Sequence, residues 1–184
     1  NQTGLQTRQG LPLSCDRLAA TMGLGYRLHM PTIALLRDVF PTPDCEPALT
    51  ARLTQAAHLG ADLVCLPEVP SLPWAPCSRT PDPSHAEPIG GPRCTMQANA
   101  ARAAGIALVG GGICTDEAGA RFNTALCFDA SGDLQISYRK IHIPDEEGFW
   151  EADHYEAGQD PPMPCVLGGM RVGIQICSDN NRPF

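Results

Sequence analysis

Cys177 closes a β-branched run, Val172-Gly173-Ile174-Gln175-Ile176, and is followed at once by Ser178, Asp179, Asn180 and Asn181. A thiol at the lip of a strand, where the chain turns into small and polar residues, is placed to act as a nucleophile. A packed structural cysteine more usually lies inside the apolar run. A thiol nucleophile needs a base for its proton and a cationic or N–H-rich site for the oxyanion it creates. Two other strand-like runs end in suitable groups: Glu68 follows 63–66, and Lys140 follows 136–138. Where strands run parallel, their C-terminal ends gather at one sheet edge, and ligands bind there. Each residue alone has a plainer explanation. Glu68 after Leu66-Pro67 reads as a solvated loop carboxylate, Lys140 beside Arg139 as a surface charge, and Cys177 as a small packed residue. His142, two residues past Lys140, also raises a Cys–His pairing, which a structural histidine would mimic. The case for chemistry rests on the three strand ends together.

The elements that would position them are legible in outline. A short apolar strand is expected at 32–36, then a break at Pro41-Thr42-Pro43. A helix capped by Asp44, with Pro47 in its first turn, runs to Leu59 and stops at Gly60. Its apolar face holds Leu49, Leu53, Ala56 and Ala57. A second buried strand at 61–66 completes a strand–helix–strand unit, which implies parallel pairing. Residues 69–93 are a proline-rich loop, of a length usually reserved for a lid or pocket wall. A helix over 94–104 follows, then strands at 106–114, 123–128 and 134–139 joined by two turns. Residues 141–162 form a charged loop. A strand at 165–167, a Gly168-Gly169 turn and a strand ending at Ile176 complete the pattern.

Composition removes several function classes. The chain has 184 residues, is 43% hydrophobic and 18% charged, and carries a formal charge of −7, with no basic cluster to neutralise phosphates. Nucleic acid and membrane are therefore not expected partners, and no apolar run is long enough to span a bilayer. The nine cysteines are odd in number and scattered, with no Cys-x-x-Cys pair and no zinc spacing. They fit a reduced, cytoplasmic protein with no metal, a disulfide scaffold being the alternative. Residues 1–29 lack a signal-peptide pattern and read as a loosely ordered tail ahead of a domain at 30–184.

Three motifs carry a family likeness. Leu66-Pro67-Glu68, Tyr138-Arg139-Lys140-Ile141-His142-Ile143-Pro144 and Gly173-Ile174-Gln175-Ile176-Cys177-Ser178-Asp179 resemble those of the carbon–nitrogen hydrolase (nitrilase) superfamily, in its order and near its spacing. The likeness covers about residues 31–183. It implies an α/β fold, the nitrilase-like α-β-β-α sandwich, with Glu68 as general base, Lys140 as stabiliser of the tetrahedral intermediate and Cys177 as the acylated nucleophile. Gly148-Phe149-Trp150-Glu151 resembles the Gly-Tyr-x-Glu of the N-carbamoylputrescine amidase branch. That likeness implies a second glutamate at Glu151, rather than Glu146 or Glu147, and places Trp150 and His142 near the substrate. The backbone N–H of Ser178 is implied in the oxyanion hole, and Asp179 as a support of the turn. Cys177-Ser178-Asp179 is closer to amidases and carbamoylases than to the Cys-Trp-Glu of true nitrilases.

The resemblance further implies a small amide or N-carbamoyl substrate, ammonia as product, no cofactor, and a homo-oligomer in the full-length protein. Substrate choice would rest on the 69–93 and 141–162 loops. The family's domain continues beyond its nucleophile, whereas this sequence stops at Phe184, where the family commonly has glutamate. The expectation is therefore an N-terminal part of the domain, incomplete at the C-terminus. The alternative from another class is a catalytically silent subunit of the same fold, acting in binding or assembly.

Overall fold

A computed structural model describes residues 30–181 of the chain; the tail expected at 1–29 lies outside them. Its centre is a mixed sheet. Strand β1 (Ile33–Leu35) pairs in parallel with β2 (Leu63–Cys65), and β2 with the first half of β4 (Ala107–Thr115). Strand β5 (Arg121–Phe128) runs antiparallel to β4, and β6 (Leu134–Arg139) antiparallel to β5. Strands β2, β4 and β6 thus point the same way, and the ends that lead to Glu68 and Lys140 share one edge. A three-residue strand inside the proline-rich loop, β3 (Ala86–Pro88), was not expected. It pairs in parallel with the far half of β4, in the same lane as β2. So short a segment ending in proline offers no periodicity to read, and proline is tolerated there because the strand stops.

The gap between β2 and β3 in that lane faces Gly110, Gly111 and Gly112 of β4. Helix α2 (Pro92–Ala104) fills it with the buried Gln97, whose Oε1 accepts from Gly111 N at 2.8 Å and whose Nε2 donates to Gly111 O at 3.1 Å. Ser71 Oγ donates to the same carbonyl at 3.0 Å. A Cβ on Gly110 would sit 2.0 Å from Gln97 Oε1, so glycine is needed here for side chain to reach backbone.

Helix α1 (Glu46–His58) and α2 cover one sheet face. Leu49 and Leu53 are fully buried against Leu108, Leu126 and Phe128, as the 3.6-residue pattern requires. The cap of α1 differs from expectation. Pro43–Cys45 forms a 3-10 turn first, Cys45 takes the cap position, and no side chain caps the helix, so Asp44 does not. The prolines at 41 and 43 fix the approach and delay the helix by a turn. Helix α2 begins two residues early, because Glu87 of β3 accepts from Arg93 N (3.1 Å) and Cys94 N (2.8 Å).

The other face is covered by a separate two-stranded sheet, β7 (Cys165–Leu167) with β8 (Met170–Val172). Leu167, Met170, Val172 and Ile174 pack on Leu63, Ala107, Val109 and Cys127. The expected strand to Ile176 stops at Val172; residues 173–176 stay off any ladder. Cys177 therefore arrives from this second layer, and not from the sheet that carries Glu68 and Lys140. Helices, sheet and second sheet give three layers of a nitrilase-like α/β fold.

The eight described cysteines are free. Burial pushes the thiols of Cys114 and Cys127 up to about 11 and about 12, so they behave as small apolar residues. No helix among the described residues is long and apolar enough to cross a membrane. The helical layer provides a direct test: Leu53→Ala should cost about 2–5 kcal/mol in denaturant unfolding. A change under about 1 kcal/mol would mean that α1 does not anchor the sheet.

Candidate active site

Glu68 leaves the sheet two residues after Leu66, whose N completes a last bond to Val109 O, and Pro67 ends the ladder. The next residue, Val69, sits at φ +50, a region a β-branched residue rarely occupies. It is held there by burial beside Leu72, Ile113 and Tyr155. The chain thus turns away at Glu68 and leaves its carboxylate 23% exposed.

Lys140 directly follows β6. Its N–H donates to Asn123 O (2.9 Å) and its carbonyl accepts from Gly158 N (2.8 Å), so the backbone is fixed on both sides. The side chain is fully buried. Its Nζ donates to Glu68 Oε1 at 2.9 Å and to Glu151 Oε1 and Oε2 at 2.8 and 2.7 Å. Asn123 Nδ2 donates to the same Glu68 oxygen at 2.8 Å.

Glu151, also fully buried, opens the 3-10 segment Glu151–Asp153, and its carbonyl accepts from His154 N and Tyr155 N. A clasp from the proline-rich loop holds that segment. Trp150 N donates to Pro76 O at 2.9 Å, His154 Nε2 lies 2.6 Å from Ser78 O, and Arg79 both stacks on the Trp150 ring (3.6 Å) and pairs with Asp153 (3.1 Å). Trp74 adds an edge contact to Phe149.

Cys177 has φ +47 and begins the 3-10 segment Cys177–Asn181. It shares a cleft of about 460 Å³ with Glu68, Asn123, Thr124 and the backbone of Gly110 and Gly111. Behind the turn, the buried Asp179 carboxylate accepts from Tyr138, from the backbone and ring of His142, and from Ile176. Ser178 Oγ donates to the carbonyl of His142.

The charges follow from this packing. Burial alone would lower the Lys140 ammonium, but hydrogen bonds to Glu151 and Glu68 outweigh it and hold the group up, fully protonated. Burial pushes the Glu151 carboxyl up, against the opposing pull of Lys140. Burial and then the negative charge of Glu68 push the Cys177 thiol up, with Lys140 pulling the other way. The resting sulfur is therefore a neutral thiol with a carboxylate as neighbour, and its reaction as a nucleophile requires the proton to move.

Of the residues singled out from the sequence, Glu68, Lys140 and Glu151 form one hydrogen-bonded cluster, and Cys177 joins Glu68 in the cleft. The His142 ring is held behind the turn, its Nδ1 3.0 Å from Asp179 Oδ1, where a buried carboxylate draws nearby donors. Trp150 packs under Arg79 in the clasp. Ser178 donates its hydroxyl proton to His142 O, so a donor from this residue to a ligand would be its backbone N–H. Asn123, Tyr138 and Arg79 were not singled out. Asn123 alone carried a signal, as an amide within an otherwise apolar strand. Among the described residues no three His, Cys, Asp or Glu side chains are grouped as metal ligands.

Comparison with known proteins gives the family and the fold. The pattern of the carbon-nitrogen hydrolase family matches residues 41–183. An omega-amidase of Xenopus laevis is 31% identical over 137 residues, covering 69% of this chain and 46% of that protein. A chloroplastic omega-amidase of Arabidopsis thaliana is 34% identical over 137 residues, covering 69% and 36%. The chain thus spans less than half the length of these curated relatives. Among solved structures, a carbon-nitrogen hydrolase from Helicobacter pylori superposes with TM-score 0.72 at 22% identity, covering 82% of this chain and 52% of that one. An amidase from Nesterenkonia sp. does so with TM-score 0.66 at 24% identity, covering 84% and 58%. With the family pattern spanning most of its length, this chain belongs to the carbon-nitrogen hydrolase family.

Proposed function

We propose that the chain carries the reacting groups of a thiol amidohydrolase that cleaves the terminal carboxamide of a small molecule. One observation carries the reading: a fully buried ammonium, Lys140, bonded to both Glu68 and Glu151, lies beside the cleft that Glu68 shares with Cys177. The omega-amidase relatives support a terminal amide as substrate.

In this reading Glu68 takes the Cys177 proton as the sulfur attacks the amide carbon. The C–O π pair moves onto oxygen, and Lys140 Nζ and the Ser178 N–H hold that oxyanion. Collapse expels ammonia, which leaves with the proton from Glu68, and a thioester remains on Cys177. Water then gives a proton to Glu68 and attacks the thioester. The acid leaves and the proton returns to sulfur. Glu151 keeps Lys140 charged and aimed. A second reading, an N-carbamoyl substrate, is favoured by Gly148-Phe149-Trp150-Glu151; the same steps then release ammonia, and the carbamate left behind loses carbon dioxide.

Full-length protein should release ammonia from small primary amides or from N-carbamoyl compounds, and the preferred panel distinguishes the two readings. Cys177→Ala should lower kcat by on the order of 10⁴-fold or more. No ammonia from any panel, with Cys177 no more reactive than the other thiols, would favour a silent subunit.

Glu68→Gln separates two effects of one charge. Turnover should fall about 10²–10⁴-fold through loss of the base. The pH midpoint of Cys177 alkylation should move down, because the negative charge that raises the thiol is gone. An unchanged midpoint with retained turnover would remove Glu68 from the mechanism. Lys140→Met strands two carboxylates and should cost about 3–5 kcal/mol in denaturant unfolding, together with activity. A stable Lys140→Met protein would show that the cluster is more hydrated than its burial indicates.

A further inference from the structure

Asp179 is fully buried, yet its hydrogen bonds go to none of the four side chains assigned to the reaction. Its Oδ1 accepts from Ile141 N (3.3 Å), His142 N (2.9 Å) and His142 Nδ1 (3.0 Å). Its Oδ2 accepts from the Tyr138 hydroxyl (2.7 Å) and from Ile176 N (3.2 Å). These donors are not scattered. Tyr138 on β6 and Ile141 and His142 just beyond its end bracket Lys140, and Ile176 immediately precedes Cys177 in the segment arriving from the second sheet. Only a carboxylate suits such a set, since five donors converge on two oxygens and an amide would turn its own N–H₂ toward some of them.

We propose that Asp179 is a positioning residue that sets the spacing between the Lys140 ammonium and the Cys177 thiol, which belong to different layers of the fold. The inference rests on the amidohydrolase reading. The turn supports it: Asp179 N donates to Ile176 O at 3.0 Å, and closing that loop carries Cys177 into the left-handed region at φ +47. A non-glycine residue stays in that conformation only where its surroundings over-determine it. Ser178 Oγ on His142 O is a second tie between the same two segments. Asp179 does not line the cleft, so its loss should leave substrate binding largely intact while the sulfur and the ammonium drift apart.

The test uses the full-length protein, with ammonia release and Cys177 alkylation by iodoacetamide, followed by mass spectrometry, as parallel readouts. Asp179→Asn should lower kcat about 100-fold with KM within about 3-fold, and should slow Cys177 alkylation. Tyr138→Phe, which removes one donor and leaves the carboxylate, should lower kcat about 10-fold, and adding it to Asp179→Asn should cost nothing further. Should Asp179→Asn not fold, Tyr138→Phe decides. Variants that are folded by circular dichroism and keep both rates within about 3-fold of wild type would overturn the proposal, as would equal rises in KM and falls in kcat. If wild-type protein alkylates at Cys177 but hydrolyses no amide, the amidohydrolase reading fails, and the alkylation series still decides the role of Asp179.

Discussion

A lysine ammonium with no exposure to water must be neutralised where it sits, and the arrangement around Lys140 follows from that requirement. One carboxylate comes from the end of β2 and the other from the 3-10 segment at Glu151, so two loops distant in sequence must meet over the end of β6. Two carboxylates on one ammonium leave an excess negative charge. Those carboxylates keep the lysine protonated, and the charge of Glu68 adds to burial in raising the neighbouring thiol. The same ion cluster thus organises the loops and contributes to the charge environment of the thiol.

The fold assembles these groups from three sources. The central sheet presents Glu68 and Lys140 on one edge because β2 and β6 share a direction. The second sheet delivers Cys177 from outside that plane. The proline-rich loop touches the Glu151 segment at four places, through Trp74, Pro76, Ser78 and Arg79. The Arg79–Asp153 pair among them is largely exposed, so that pair adds orientation more than stability.

How much of this was legible depended on whether the cause was local. The helix faces through Leu49 and Leu53, the β4–β5–β6 meander and the residues at the ends of β2 and β6 follow from periodicity and turns within short windows. The Asp44 cap failed because two prolines reshaped the approach, an effect that overrides capping preference. Strand β3 was illegible because its three residues are strand only by pairing with β4. The β-branched run before Cys177 predicts a strand, but residues 173–176 join no ladder among the described residues. The roles of His142 and Asn123 depend on partners 37 and 55 residues away, which no local pattern contains.

The three glycines of β4 have a consequence for how the chain folds. At Gly111 the lane beside β4 holds no strand, and its backbone N–H and C=O are completed by Gln97 of α2 and by Ser71. A buried backbone group left without a partner costs about as much as a lost hydrogen bond. The middle of the central strand is therefore complete only when a helix has already docked on it. Sheet and helix layer cannot mature one after the other as independent units; at this point they belong to a single cooperative step, and opening either one exposes the other.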